Sequence, residues 1–422
     1  MECDTEATQV IEAKSRLLRA LLSGPVLLLL ALITGFLMFE AGARLVLRHK
    51  DEIRKHLLGY VVNRSDNWIP DPKNAGNWVL RPGYSITLKQ YYEAQERQGH
   101  LLSVKHIEDR AGQLCIGEND VVFQINRLGF KGPEVDTSHS RLRILTLGDS
   151  VTYGSFYDRY SYPRVLEKEL RLMGVSAEVI NAGVPGYTAR NILLRLSEFE
   201  ALKPEIATVF IGWNSLFDET EIGEGVEKYL YSVRLLEKAR EKVLGLLNGY
   251  QQLAISQYNK PKRVDPNAVI LSEMGNYSPG ALQGVEKIVI GMRSIGSRVV
   301  LVTLPGLFVM DEPPSDLALK IGHLPTFTDN PYVLAKMTER YNAGLRDLGA
   351  RQGLSVVDLA AWSKGAFRPR DKYFSDSVHL TEEGQVLVGR KLAEELLPMI
   401  GPGATTKKPT LDRQESVIAC QS

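Results

Sequence analysis

The chain has 422 residues, 44% hydrophobic, 24% charged and 8% aromatic, with 36 Gly and 20 Pro. This excludes a disordered, collagen-like or coiled-coil chain and leaves room for about two or three globular domains. Lys plus Arg is 51 against 50 for Asp plus Glu, a formal charge of +1, so the basic excess that marks a nucleic-acid binder is missing.

Residues 20–39 carry no charge. As a helix rising about 1.5 Å per residue they would reach about 30 Å, the thickness of a bilayer's hydrocarbon core. Lys14, Arg16 and Arg19 precede the run, and Glu40 and Arg44 close it. Pro25 falls in the first turns, where a missing donor costs least. We therefore expect an N-terminal tail over 1–19 and a transmembrane helix over 20–39. A buried core helix is one rival, without an amphipathic pattern to support it. A cleaved signal peptide is the sharper one, because Ala41-Gly42-Ala43 has the small-x-small form of a cleavage site; the apolar run is longer than a signal core. Arg44, Arg48, Lys50, Arg54 and Lys55 after the run would place the domain in the cytoplasm by charge count. A short basic tail before a single span is the form of an exporting anchor, and on that ground we expect the domain outside the cytoplasm.

Residues 66–140 hold short β-type runs (68–72, 78–83, 121–126) broken by Pro, Gly and Asn, and read as a small β-rich accessory segment. Cys3, Cys115 and Cys420 lie too far apart for a Cys-x-x-Cys pair, which predicts neither a structural disulfide nor a zinc site. From residue 141 strand-length apolar runs recur at 144–147, 177–180, 206–211, 299–304 and 354–359, with helical patterns between them at 163–173 and 331–349. Strands alternating with helices predict a parallel sheet covered on both faces, with chemistry beyond the carboxyl ends of its strands. The polar stretch 401–422 reads as a disordered tail.

The blocks just past the strands carry chemistry. Gly148-Asp149-Ser150 comes after the first, Asn181-Ala-Gly-Val-Pro-Gly186 after the second, Gly212-Trp-Asn214-Ser215 after the third, and Asp376-Ser-Val-His379 lies past the fifth. Together they supply a hydroxyl, a Gly amide, a side-chain amide and an Asp/His pair, the set that acyl transfer needs. In this order the blocks resemble the SGNH (GDSL-type) serine hydrolase superfamily over about residues 141–400. The resemblance implies a triad of Ser150 as nucleophile, His379 as base and Asp376 as its partner. It implies an oxyanion hole from the Ser150 amide, the Gly186 amide and the Asn214 side chain. Ser215 departs from the Asp usual in the family's third block, which puts the local loop conformation in question. The fold expected is α/β, a flavodoxin-like three-layer α/β/α sandwich around a five-stranded parallel sheet, with the transmembrane helix and the accessory segment added.

Each assignment has a plainer competitor. Ser150 could merely cap the helix after its strand, Asn214 could stabilise a turn, and Gly186 could serve backbone geometry alone. His379 stands in an Asp-x-x-His setting, while His323, in a loop, is its minor rival. Neither Gly-x-Ser-x-Gly nor a metal-ligand spacing nor a phosphate loop occurs, and the mechanism requires no cofactor or metal. Residues 216–278 form an insertion before the helix that leads to the fourth strand; Val226, Leu230, Val233, Leu236, Val243 and Leu247 repeat near helical spacing with basic residues between. It reads as a packed cap helix, or as a lid or lipid- or glycan-facing surface. The function expected is a membrane-anchored esterase acting on a small-molecule, lipid or glycan ester, with acyl or acetyl transfer to a cell-envelope glycan as the alternative and a non-catalytic binding domain as the third reading.

Overall fold

The computed structural model describes residues 24–48, 67–74, 77–97, 109–217, 258–277 and 279–400. The chain falls into two compact units, one containing the N-terminal helix and the other built from residues 57–220 and 257–422. The tails 1–19 and 401–422 and the helical repeat expected inside the insertion lie outside the described residues.

In the first unit Gly24–Arg48 forms one helix of 25 residues. Residues 20–23 of the expected span lie outside the described residues, and the described helix runs on through Glu40 to Arg48. Among the described residues no helix is long and apolar enough to cross a membrane. The apolar side chains from Leu27 to Phe39 are nevertheless exposed.

The second unit is organised by one sheet. Five strands, β5 (Leu142–Gly148), β6 (Ala177–Gly183), β7 (Ile206–Phe210), β8 (Arg298–Val302) and β9 (Ser355–Val357), lie in the order β6-β5-β7-β8-β9. Every pairing is parallel. The α/β class with a five-stranded parallel sheet is thus as expected. β6 and β7 are buried along their whole length, which is why they read as near-continuous apolar runs rather than as an alternation. Crossovers between parallel strands are right-handed, and the strand order reverses at β5. The helix Tyr162–Leu172, between β5 and β6, and the helix Ala281–Ser294, between β7 and β8, are therefore sent to opposite faces. Tyr162–Leu172 packs on Glu382–Leu396, and Ala281–Ser294 packs on Ala189–Leu193 and Pro331–Gln352.

Local chemistry sets the helix ends. Pro163 sits in the first turn of Tyr162–Leu172, and Gly174 follows its end at φ +82. Asn330 caps Pro331–Gln352 by accepting the Tyr332 amide at 3.1 Å, and Gly353 closes it in the left-handed region.

Ahead of the sheet lie two antiparallel pairs, β1 (Trp68–Pro70) with β2 (Trp78–Leu80), and β3 (Ser85–Thr87) with β4 (Val121–Gln124). The helix Leu88–Arg97 was not foreseen from the short β-type runs around it. Cys115 is disulfide-bonded, contrary to the expectation drawn from cysteine spacing, since distance along the chain does not limit distance in space.

Candidate active site

The strand order β6-β5-β7-β8-β9 places a switch point between β5 and β7, where ligands of open parallel sheets bind. Gly148 of β5 lies abreast of Gly183 of β6 and Phe210 of β7. Ser150, Gly186 and Asn214 stand two, three and four residues beyond these aligned ends, which brings the three loops to one edge of the sheet.

Ser150 opens the short helix Ser150–Tyr153. Asp149 caps it, its carboxylate accepting the Val151 amide at 3.0 Å. The helix lies so close to the strand ends that a Cβ on Gly148 would overlap Thr152 and the Phe210 carbonyl. Thr152 fills that space and donates its hydroxyl to the Phe210 carbonyl at 3.2 Å.

Gly186 occupies the third position of the turn Val184-Pro185-Gly186-Tyr187, closed by the Tyr187 amide on the Val184 carbonyl at 3.2 Å. Its φ of +80 is that of a type II turn, which explains Pro185 and Gly186 together. Asn214 lies in the helix Trp213–Phe217, and its side-chain amide donates to the Tyr187 carbonyl at 2.9 Å. The helical turn forms with Ser215 in place of Asp, its Leu216 amide reaching the Gly212 carbonyl at 3.0 Å.

Asp376 and His379 come from a tight loop before the helix Glu382–Leu396, pinned by a Phe374–Leu380 bridge and by the Ser375 amide on the His379 carbonyl at 2.9 Å. One Asp376 oxygen accepts the amides of Val378 and His379 at 2.9 and 2.8 Å. The other meets His379 Nδ1 at 2.7 Å, and His379 Nε2 meets Ser150 Oγ at 2.7 Å. Burial pushes the Asp376 carboxyl up, but the hydrogen bond and charge of His379 prevail and hold it at about 2. Burial pushes His379 down, and the bond and charge of Asp376 more than reverse this, so its pKa is raised above 6.5. An ionised Asp376 can only accept, so His379 Nδ1 carries the proton and Nε2 is left to accept from the Ser150 hydroxyl.

The five residues singled out from the sequence are thus assembled around one sheet edge, and His323 is not joined to Asp376. Its ring packs instead against Tyr258 and Phe217 at centroid distances of 4.7 and 5.2 Å. Among the described residues no cluster of three His, Cys, Asp or Glu could hold a metal.

Residues 146–387, more than half of the chain, match the model of the GDSL-like lipase/acylhydrolase family. The chain belongs to that family. Its members are esterases and acyl hydrolases, and this protein is one. Among solved structures, a lipase/acylhydrolase from Enterococcus faecalis is 17% identical, covers 61% of this chain and 96% of its own, and has a TM-score of 0.37. The acetylxylan esterase Axe2 from Geobacillus stearothermophilus is 15% identical, covers 62% and 94%, and has the same TM-score of 0.37. No curated protein matches the chain.

Around this family core the accessory segment reaches into the site, which the sequence did not reveal. Trp78 donates its indole N–H to the Pro185 carbonyl at 3.1 Å, Tyr187 donates its hydroxyl to the Trp78 carbonyl, and the two rings meet edge-on at 5.3 Å. The Trp78 ring lies 3.1 Å from where a Cβ on Gly186 would stand. The Gly186 turn is therefore held by Asn214 on one side and Trp78 on the other. Lys131, buried, donates to the carbonyls of Tyr153 at 3.1 Å and Ser155 at 2.5 Å, just past the Ser150 helix. Burial lowers its amine to about 8.

Two outcomes are expected. Trp78→Ala removes a packed ring and frees the 184–187 turn, so unfolding in denaturant should show a loss of about 3–5 kcal/mol, with faster amide exchange at Tyr187. Asp149 is buried, and burial raises its pKa to about 6. A carboxyl raised by folding contributes stability that is present at low pH and is lost as pH rises through about 6. Asp149→Asn keeps the cap without the charge, so thermal unfolding should show it gaining on the parent at pH 8 relative to pH 4.

Proposed function

We propose that Ser150 attacks the carbonyl of an acyl or acetyl ester while His379 takes its proton and Asp376 holds and charge-balances the imidazole. The observation that carries this reading is the unbroken line of two 2.7 Å contacts from Asp376 through His379 to the Ser150 hydroxyl. A serine hydroxyl is almost wholly protonated at neutral pH and needs a base at the moment of attack. His379, neutral above its raised pKa, accepts that proton at Nε2 and returns it to the departing alcohol, leaving an acyl-serine that water then cleaves by the reverse sequence. The negative oxygen of each tetrahedral intermediate is taken by the amides of Ser150 and Gly186 and by Asn214. One amide hydrogen of Asn214 is engaged by the Tyr187 carbonyl, which orients the other.

The same reading includes attachment to a membrane through residues 20–39, with the 141–400 domain outside the cytoplasm. Its support is the exposed apolar face of the first helix, where Met38 is 71% and Leu32 64% exposed. Left in water, such surface costs about 25 cal/mol per Å².

Ser150→Ala and His379→Ala should each lower kcat for a short ester by roughly 10³-fold or more, because the two act as one unit, and Asp376→Asn should be milder. A fluorophosphonate should label Ser150 alone. Activity should fall as pH drops through a limb above 6.5, since protonated His379 cannot accept, and Asp376→Asn should move that limb to lower pH by removing the charge that raises it. A flat profile from pH 5 to 8 with chemistry limiting, or an active alanine variant, would contradict the assignment.

The intact chain should stay with membranes through a high-salt and carbonate wash, and removal of residues 1–50 should release it. Release of the intact chain by the wash would rule out the anchor, and protection of the 141–400 domain from protease added to spheroplasts would place it in the cytoplasm.

A further inference from the structure

Trp78 bonds the middle of the turn that presents the Gly186 amide, its indole N–H donating to the Pro185 carbonyl at 3.1 Å. That carbonyl and the Gly186 N–H belong to one planar trans peptide unit, so the two point in opposite directions. A grip on the oxygen therefore aims the hydrogen. The unit is also the central peptide of the turn Val184–Tyr187, which the Tyr187 amide closes on the Val184 carbonyl at 3.2 Å. Type I and type II turns share that closing bond and differ by a flip of the central peptide, the third residue passing from a φ of about −90 to about +80. Gly186, at φ +80, has the type II arrangement. Pro185 fits either form and glycine is free to take either φ, so an outside contact can bias the plane.

The groups around that peptide are fixed as well. The Tyr187 carbonyl accepts from Asn214 at 2.9 Å, and the Tyr187 hydroxyl donates to the Trp78 carbonyl. The Thr188 amide donates to Asn191 Oδ1 at 2.8 Å, and the Asn191 side-chain amide donates to Asn77 Oδ1 at 3.1 Å. Asn77, the neighbour of Trp78, donates in turn to Asp71 at 2.9 Å. Among the described residues no acceptor meets the Gly186 amide. A donor left open in a turn bonded on all sides is what a preorganised oxyanion site needs. The Trp78 ring is itself buried, 8% exposed, and set edge-on against Tyr187, so its influence runs through the turn. We propose that Trp78 is a positioning residue for the reaction, its indole N–H locking the Pro185–Gly186 peptide so that the Gly186 amide faces the oxyanion. This rests on the triad reading above and adds to it a residue from outside the family-matched stretch 146–387.

Two variants of the full chain test it with p-nitrophenyl acetate, active sites being counted by the end point of fluorophosphonate labelling. Trp78→Phe keeps a ring beside Tyr187 and loses the donor. Benzothienylalanine at position 78 keeps the bicyclic ring and has sulfur where the N–H was. Each should lower kcat per labelled site roughly 10-fold, less than full loss of an oxyanion donor because the turn still visits the type II form. KM should stay within about twofold, since the contact acts on the transition state. A trifluoromethyl ketone gives the second readout. Ser150 Oγ adds to its carbonyl carbon, the hydroxyl proton passes to His379 Nε2, and the C=O electron pair becomes an oxyanion with nothing leaving. Its Ki should rise by the factor by which kcat falls, which a loss of stability alone would not produce. Unchanged kcat and Ki in both variants, beside an inactive Ser150→Ala, would overturn the grip and leave the triad standing. So would a raised KM with kcat held, which would make Trp78 a substrate contact. A benzothienyl protein as active as the parent would likewise overturn it, leaving ring packing alone. An active Ser150→Ala protein would remove the triad reading, and the grip with it.

Discussion

The close seat of one short helix on three strand ends is the constraint on which the site depends. Ser150–Tyr153 lies where Gly148 and Gly183 leave no side chain, since a Cβ at either would run into the helix. Thr152 fills the gap and bonds the Phe210 carbonyl, so one residue ties the helix to β7 while the helix covers β5 and β6. The Tyr162 hydroxyl, buried beneath, donates to Thr152 at 3.1 Å and fixes its rotamer. Small residues in the strand ends are thus the condition for a serine held rigidly at the switch point.

Electrostatics then separates two nearby carboxyl groups. Asp149 is sealed in the interior with its capping oxygen on the Val151 amide, and burial raises it to about 6. Asp376 is also pushed up by burial, yet two amides and an imidazole converge on it and hold it at about 2. The difference lies in the imidazole, a donor in direct contact with Asp376 that also takes up positive charge. It leaves the firmer negative charge on the carboxyl beside His379.

The segment ahead of the sheet is part of this machinery by its contacts. Trp78 grips the Gly186 turn and Lys131 the end of the Ser150 helix. Arg110 meets Glu382 at 2.8 Å and Glu383 at 2.6 Å, in the first turn of the helix after His379, and Glu382 in turn accepts the Ser155 hydroxyl at 2.8 Å. Three of the strand-end loops are therefore held from outside the sheet by residues that precede it. The turn that presents Gly186 also has its φ of +80 stabilised by glycine alone, so packing and backbone freedom act together.

Sequence by itself determined the α/β class, the five strands and the loops worth inspecting, because strand runs, Pro and Gly at helix ends, and short polar blocks are local signals. It singled out Ser150, Gly186, Asn214, Asp376 and His379, each from the block after a strand. It did not foresee the Cys115 disulfide, the helix Leu88–Arg97 or the bounds of the N-terminal helix, where spacing and composition are weak guides. Only the tertiary structure decided that His379 meets Ser150 across 229 positions and that Trp78 meets Pro185 across 107. It also decided that His323 joins an aromatic cluster rather than Asp376. The physical reason is that such contacts depend on strand register and on how elements stack, which no stretch of chain encodes alone.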